Sequence, residues 1–195
     1  MTDTLLLISG GIDSTYCMWK HLQSGKSLRV HHVHLKNHEG RMKYETKAME
    51  RVLNWMCGHG LTSFTYTESS FDYGTIPFIV KDFHIWSFIS GVIMADPKNR
   101  GIKKLIIPRH WDAFPGGPDS AGAKRSTRTY SNMVKLISGR EPELVYPIIN
   151  KMKADLIKEM PRDLLDCCWW CRRPKDGKAC HKCYTCQLVD SAVKG

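Results

Sequence analysis

Ser9-Gly10-Gly11-Ile12-Asp13-Ser14 is the first stretch of this 195-residue chain whose residue types and spacing point to chemistry. A glycine pair between a strand and a helix lets the backbone approach a ligand closely, because no Cβ stands in the way. The N–H groups of such a turn, and of the helix N-terminus behind it, attract an anion. Ser9, Ser14 and Thr15 add hydroxyl donors, and the stretch from Ile8 through Ile12 to Thr15 is the candidate phosphate-binding segment. Asp13 is a carboxylate where phosphates would bind, a position that suits it to hold Mg²⁺ or to cap the loop. The Walker pattern G-x-x-x-x-G-K-[ST] and the Rossmann pattern G-x-G-x-x-G are both absent here.

A second constellation lies at the other end. Cys171, Cys180, Cys183 and Cys186 read C-x₈-C-x₂-C-x₂-C. Four soft thiolates on tight C-x₂-C turns suit a tetrahedral Zn²⁺ with every position filled, which is a structural rather than a catalytic arrangement. An iron–sulfur cluster is the competing metal reading. Cys167 and Cys168 are spares, either of which could replace Cys171. Cys17 and Cys57 read as core residues within helices, and His181 as a solvent-facing residue between ligands.

The elements that must position these groups follow from periodicity. Thr4 to Ile8 is a short continuous apolar run, as expected of a buried parallel strand. A helix capped by Asp13 or Ser14 then runs to about Ser24-Gly25. Leu28 to Leu35 reads as a second strand. An amphipathic helix follows with apolar residues at Ala48, Met49, Val52, Leu53 and Met56, ended by Gly58 and Gly60. Ser63 to Thr67 alternates as a third strand. Phe83 to Met94 reads as a mostly buried helix carrying Ile85, Trp86, Ile89, Val92 and Ile93. Lys103 to Pro108 gives a fourth strand, and Leu144 to Tyr146 a fifth. Trp111 to Gly122 is rich in Gly, Pro and Asp and reads as a loop. Ala154 to Met160 forms the last helix before the cysteines. Alternating strands and helices predict an α/β fold with a doubly wound, mostly parallel sheet over residues 1–160. A small zinc-binding cysteine ribbon, residues 161–195, packs on it.

The bulk numbers fit that outline. The hydrophobic fraction is 42% and the charged fraction 25%, ordinary for a globular domain of this size. No apolar run reaches the roughly 20 residues that span a bilayer, and the N-terminal stretch lacks the basic region of a signal peptide. The expectation is a soluble, cytoplasmic protein without a membrane partner. Lysine and arginine number 29 against 19 acidic residues, a formal net charge of +10. That excess fits nucleotide phosphates, a carboxylate substrate or nucleic acid, although a basic solvated surface needs no polynucleotide.

The string at residues 9–14 resembles the signature of the PP-loop, or N-type, ATP pyrophosphatases. That resemblance implies a loop that binds ATP phosphates and an enzyme that releases pyrophosphate, leaving AMP on a substrate oxygen. Combined with the cysteine spacing, the chain resembles one branch of that class, the 7-cyano-7-deazaguanine (preQ0) synthases. Residues 8–18 carry the loop match. His38 and Glu45 stand where the family has a His and a Glu after the second strand. Asp112 and Asp119 resemble its acidic loop, facing substrate. Tyr146-Pro147 with Lys153-Ala154 resembles a further segment, in which Lys153 reaches ATP phosphates. The family's Arg-Asn pair after a proline is replaced, since Pro77 is followed by Phe78-Ile79-Val80-Lys81-Asp82.

The resemblance implies a C–N ligase that uses ATP with Mg²⁺, 7-carboxy-7-deazaguanine and ammonia, contains structural Zn²⁺ and forms a homodimer. The acid is adenylated, converted to the amide, activated again and released as the nitrile. No residue stands out as a covalent nucleophile. Three other readings remain open from the sequence. The same chemistry can stop at the amide or join the acid to a macromolecular amine. A PP-loop tRNA sulfur transferase would use the cysteines for sulfur or an Fe–S cluster. A basic zinc ribbon would stack bases on Trp169, Trp170 and Tyr184.

Overall fold

The computed structural model describes residues 2–77 and 81–194. Five strands, β1 (Thr4–Ile8), β2 (Leu28–Lys36), β3 (Phe64–Asp72), β4 (Lys104–Ile106) and β5 (Glu143–Val145), form one sheet in the order β3-β2-β1-β4-β5. Every pairing is parallel. The expected α/β doubly wound sheet is therefore present. β1 is central and buried at all five positions. A strand covered on both faces cannot alternate polar and apolar residues, which explains its unbroken apolar run.

The two faces of β1 define two layers. Leu6 and Ile8 pack with α1 (Ile12–Gln23) and α2 (Met42–Gly58), and with Leu156 of α5 (Lys153–Glu159). Leu5 and Leu7 pack with Met94 of α3 (Asp82–Ala95) and with Tyr130 and Val134 of α4 (Ala121–Ser138). The chain builds outward from β1 to β3, then returns to β4 on the other side of β1. The strand order thus reverses between β1 and β4, and in open parallel sheets that reversal opens a crevice at the strands' C-terminal ends.

α4 corrects the sequence reading, which ended the 111–122 loop without a helix after it. Trp111–Ala113 is one 3₁₀ turn, and α4 then runs for 18 residues. Its Ser, Thr, Gly and Asn content weakens the helical signal. Its buried stripe is nonetheless regular, at Ala123, Ser126, Tyr130 and Val134. Ser120 Oγ caps it by accepting from the Ala123 N–H at 3.2 Å, and Gly139 ends it at φ 68°.

α3 differs as well. Its buried residues include Ser87, Ser90, Gly91 and Met94, whereas Phe88 and Val92 are exposed. The cause is close packing on α4. A Cβ on Gly91 would sit 2.9 Å from Ile137 Cβ, so small residues face inward and bulky ones turn outward. Cys17 is buried as expected, but Cys57 is exposed on α2. Residues 78–80 of the departing segment after Pro77 lie outside the described residues.

The C-terminal segment contains α6 (Arg162–Cys167) and α7 (Tyr184–Lys194). Leu164, Leu165, Cys168 and Val189 belong to the same apolar cluster as α1 and α2. Among the described residues no helix is long and apolar enough to cross a membrane.

Candidate functional site

The glycine turn sits between β1 and α1, at the crevice. Gly10 adopts φ 70°, a left-handed conformation that favours glycine. Its Cα is pressed against α2, because a Cβ there would meet Ala48 Cβ at 2.9 Å and the Met49 nitrogen at 3.0 Å. No side chain caps α1 at Gly11, so the first-turn N–H groups are left for a ligand. Ser9, Gly11 and Asp13 are partly exposed, while Ile8, Ile12, Ser14 and Thr15 are buried beneath them. Ser14 Oγ donates to the Gly11 carbonyl at 3.2 Å and so braces the turn.

Two groups from distant parts of the chain converge on Asp13. Lys153, at the first turn of α5 and 2% exposed, pairs with Asp13 Oδ1. His110, after β4, brings Nε2 within 3.8 Å of Asp13 Oδ2. Asp112 orients both. Its Oδ1 accepts from His110 Nδ1 and, at 3.1 Å, from the Lys153 backbone N–H. Of the two acidic-loop residues, only Asp112 is brought to this cluster. Asp119 has a side chain 94% exposed and pairs with Lys124 at 3.8 Å.

Three contiguous cavities lead away from the loop. The innermost, about 100 Å³, is lined by Ser9, Gly11, Asp13, Ser14, Trp86 and Pro108. The next, about 190 Å³, shares Asp13, Trp86 and Pro108 and adds Arg109, His110, Phe83 and Phe114. The outermost, about 670 Å³, shares Phe83, Trp86 and Phe114 and is rimmed by Lys81, Arg125 and Arg172. A groove of about 600 Å³ beside Asp3, Lys26 and Lys104 lies at the strands' N-terminal ends, away from the loop. Sequence reasoning missed Arg109 and His110. They belong to no motif, and only their place just after a buried strand marked them.

Beside the crevice, Arg41 is 5% exposed and pairs with Glu39 at 2.6 Å, Glu45 at 2.6 Å and Asp82 at 2.7 Å. Burial drives the Glu45 carboxyl up to about 7, against the opposing pull of Arg41. Arg172 joins the cluster through Glu39 at 2.9 Å and Asp82 at 3.2 Å. His38 lies in the same β2–α2 connection.

Cys171, Cys180, Cys183 and Cys186 bring their sulfurs within 4.8 Å of one another. A zinc tetrahedron with Zn–S of about 2.3 Å has sulfurs roughly 3.8 Å apart, so the set fits one ion after a small contraction. The Cys183 N–H points at Cys180 Sγ at 3.3 Å and the Cys180 N–H at Cys171 Sγ at 3.2 Å. Backbone donors from Lys182 and Cys183 lower the Cys180 thiol to about 6, favouring the thiolate a metal needs. His181 is exposed, as expected, and holds the turn at φ 51°.

The segment before this cluster touches the glycine turn directly. The Trp169 N–H donates to the Gly10 carbonyl at 2.9 Å, and the Trp169 ring stacks on Tyr44 with centroids 4.7 Å apart. Tyr184 Oη donates to the Asp112 carbonyl at 2.9 Å. Trp169, just before the four cysteines, and Tyr184, among them, thus contact the glycine turn and the turn that carries Asp112.

Residues 1–81 match a family model described as thiamine biosynthesis protein (ThiI). No curated protein sequence matches the chain. Among solved structures, NMN synthetase from Francisella tularensis superposes with a TM-score of 0.51 at 14% identity, covering 97% of this chain and 77% of that one. At that identity the likeness is one of fold. That likeness supports the α/β fold described above, with its all-parallel five-stranded sheet and β1–β4 switch point.

Proposed function

We propose that the chain is an ATP-dependent enzyme that adenylates a carboxylate, and that its substrate is 7-carboxy-7-deazaguanine. The observation that carries this reading is the convergence of Asp13, Lys153 and His110 on an uncapped glycine turn at the β1–β4 switch point. ATP lies with its phosphates on the turn and on the N-terminus of α1. The acid's carboxylate oxygen attacks the α-phosphorus. The bond to the bridging oxygen breaks and pyrophosphate leaves. Lys153 neutralises charge that builds on the departing phosphates. Mg²⁺ supplies further charge neutralisation on the phosphates when bound, and Asp13 is the carboxylate placed to hold it.

Ammonia then displaces AMP to give the amide. A second ATP activates the amide oxygen, and loss of AMP leaves the nitrile. Each oxygen of the acid departs on one AMP, so one nitrile consumes two ATP. The protein's own contribution is placement, with an aromatic-walled cavity beside the loop. The deazaguanine assignment is supported by the pairing of the loop with C-x₈-C-x₂-C-x₂-C, and Zn²⁺ held by those cysteines has a structural role.

The basic residues Lys81 and Arg125 at the rim favour one second reading, delivery of the activated acid to an amine on a polyanionic macromolecule. One incubation separates these readings. The protein is mixed with 7-carboxy-7-deazaguanine, ammonium, Mg²⁺ and ATP, and products are weighed by mass spectrometry. The nitrile, with two pyrophosphates per molecule, is expected. Amide alone would support the shorter reaction. Absence of both, with no acid-dependent pyrophosphate, would sink the assignment. Lys153→Met is expected to lower kcat/KM at least roughly 100-fold.

A further inference from the structure

Arg109 presents an unmatched charge. It is 8% exposed, yet among the described residues no carboxylate lies within 4 Å of it. Its guanidinium donates to Thr127 Oγ1 at 2.9 Å, Ser126 Oγ at 2.9 Å and the Ala123 carbonyl at 3.4 Å, all neutral. It lies 4.8 Å from the Phe114 ring centroid and 5.1 Å from that of Tyr146. Hydroxyls and ring faces replace part of its hydration, but they bring no negative charge. Arg41, equally buried, is surrounded by three carboxylates. The contrast within one molecule shows what a buried guanidinium ordinarily receives here and what Arg109 lacks. A buried charge without a partner is costly, and an incoming anion recovers that cost. Arg109 also lines the same cavity as Asp13, so a group bound to it lies next to the phosphate loop.

We propose that Arg109 is the receptor for the carboxylate of a flat aromatic acid, held in the cavity that Phe83, Trp86 and Phe114 line. The planar guanidinium suits a carboxylate better than a point charge would, because it donates two parallel hydrogen bonds. The aromatic walls select a planar ring over an aliphatic chain. Docking the acid here places its carboxylate beside the glycine turn, because Arg109 and Asp13 line the same cavity. The proposal rests on the adenylation reading for the reaction that follows, but the binding site itself is tested without turnover. An α-phosphate of the nucleotide is the other anion of suitable chemistry, and the experiment separates the two.

Isothermal titration of the full, zinc-loaded chain uses 7-carboxy-7-deazaguanine and indole-3-carboxylate, each against its neutral amide, and ATP with Mg²⁺ as a separate titrant. Wild type is expected to bind an acid at least roughly tenfold more tightly than the matching amide. Arg109→Met should abolish that preference and leave amide and ATP affinity within about twofold, and Arg109→Lys should restore part of it. Equal binding of acid and amide by wild type, or binding of neither acid, overturns the proposal even if Arg109→Met fails to fold. Loss of ATP affinity in Arg109→Met with the acid preference intact also overturns it, and assigns the guanidinium to a phosphate. Arg109-dependent binding of indole-3-carboxylate with none of 7-carboxy-7-deazaguanine upholds the carboxylate receptor while removing the deazaguanine reading.

Discussion

Gly10→Ala puts a methyl group at a position where the backbone has φ 70° and the nearest atoms are already within contact distance. The new carbon would sit 2.9 Å from Ala48 Cβ, 3.0 Å from the Met49 nitrogen and 3.2 Å from the Glu45 carbonyl oxygen. Two of those atoms are helical backbone, so relief requires α2 to move rather than a side chain to swing aside. The left-handed conformation costs a non-glycine residue about 1–2 kcal/mol, and overpacking a close-fitting contact costs about 1–3 kcal/mol. The variant should lose roughly 2–5 kcal/mol, or roughly 4–20 °C in Tm for a domain of this length.

Gly25→Ala is the matched control. Gly25 has φ 74°, but a Cβ added there would have no neighbouring atom within 4 Å. It should lose only the conformational part, about 1–2 kcal/mol. Urea denaturation of both variants at unchanged m isolates the contact itself. Because the displaced helix carries the turn with it, ATP affinity should fall in Gly10→Ala and hold in Gly25→Ala. If the two variants agree within about 0.5 kcal/mol, the close approach of the glycine turn to α2 is wrong.

Metal removal and pH give two further tests. Chelation of Zn²⁺, or Cys180→Ser, should loosen the segment that donates from Trp169 to the Gly10 carbonyl and weaken ATP binding as well as stability; chelation with unchanged ATP affinity would break the link between the two sites. His31 is held between Thr67 Oγ1 and Ser69 Oγ, each at 2.9 Å. Burial, helped by neighbouring His32, pushes its imidazole down to about 4. The unfolded chain takes up that proton near pH 6.5, so this contribution is whole above pH 6.5 and is lost as the pH falls toward 4. The loss amounts to about 3 kcal/mol, and His31→Gln should flatten that part of the stability curve measured by urea titration between pH 7 and 4.

Different parts of this molecule were written in the sequence with different clarity. β1 was readable because a strand buried on both faces must be apolar throughout, and Leu5, Leu6 and Leu7 meet that demand. The glycine turn and the cysteine cluster were readable because their chemistry depends on residues close in sequence. α4 was not, since its stability comes from packing on α3 and from its caps rather than from strong helix formers. The outward turn of Phe88 and Val92 followed from Gly91 meeting Ile137, a contact between residues 46 positions apart. Arg109 and His110 were invisible for a related reason. They matter only because β4 lies beside β1, and that adjacency is a property of the sheet order. Asp119 shows the converse, a local pattern that the fold leaves facing solvent.

Adenylation requires an oxygen of the substrate acid to attack the α-phosphorus of ATP, and every later step depends on that bond. Supplying 7-carboxy-7-deazaguanine labelled with ¹⁸O in its carboxylate, with ammonium and Mg²⁺, tests it in one measurement. Mass analysis of the nucleotide product should find AMP carrying one ¹⁸O, with none in pyrophosphate. Unlabelled AMP, or ADP accompanied by labelled phosphate, would contradict the adenylation mechanism.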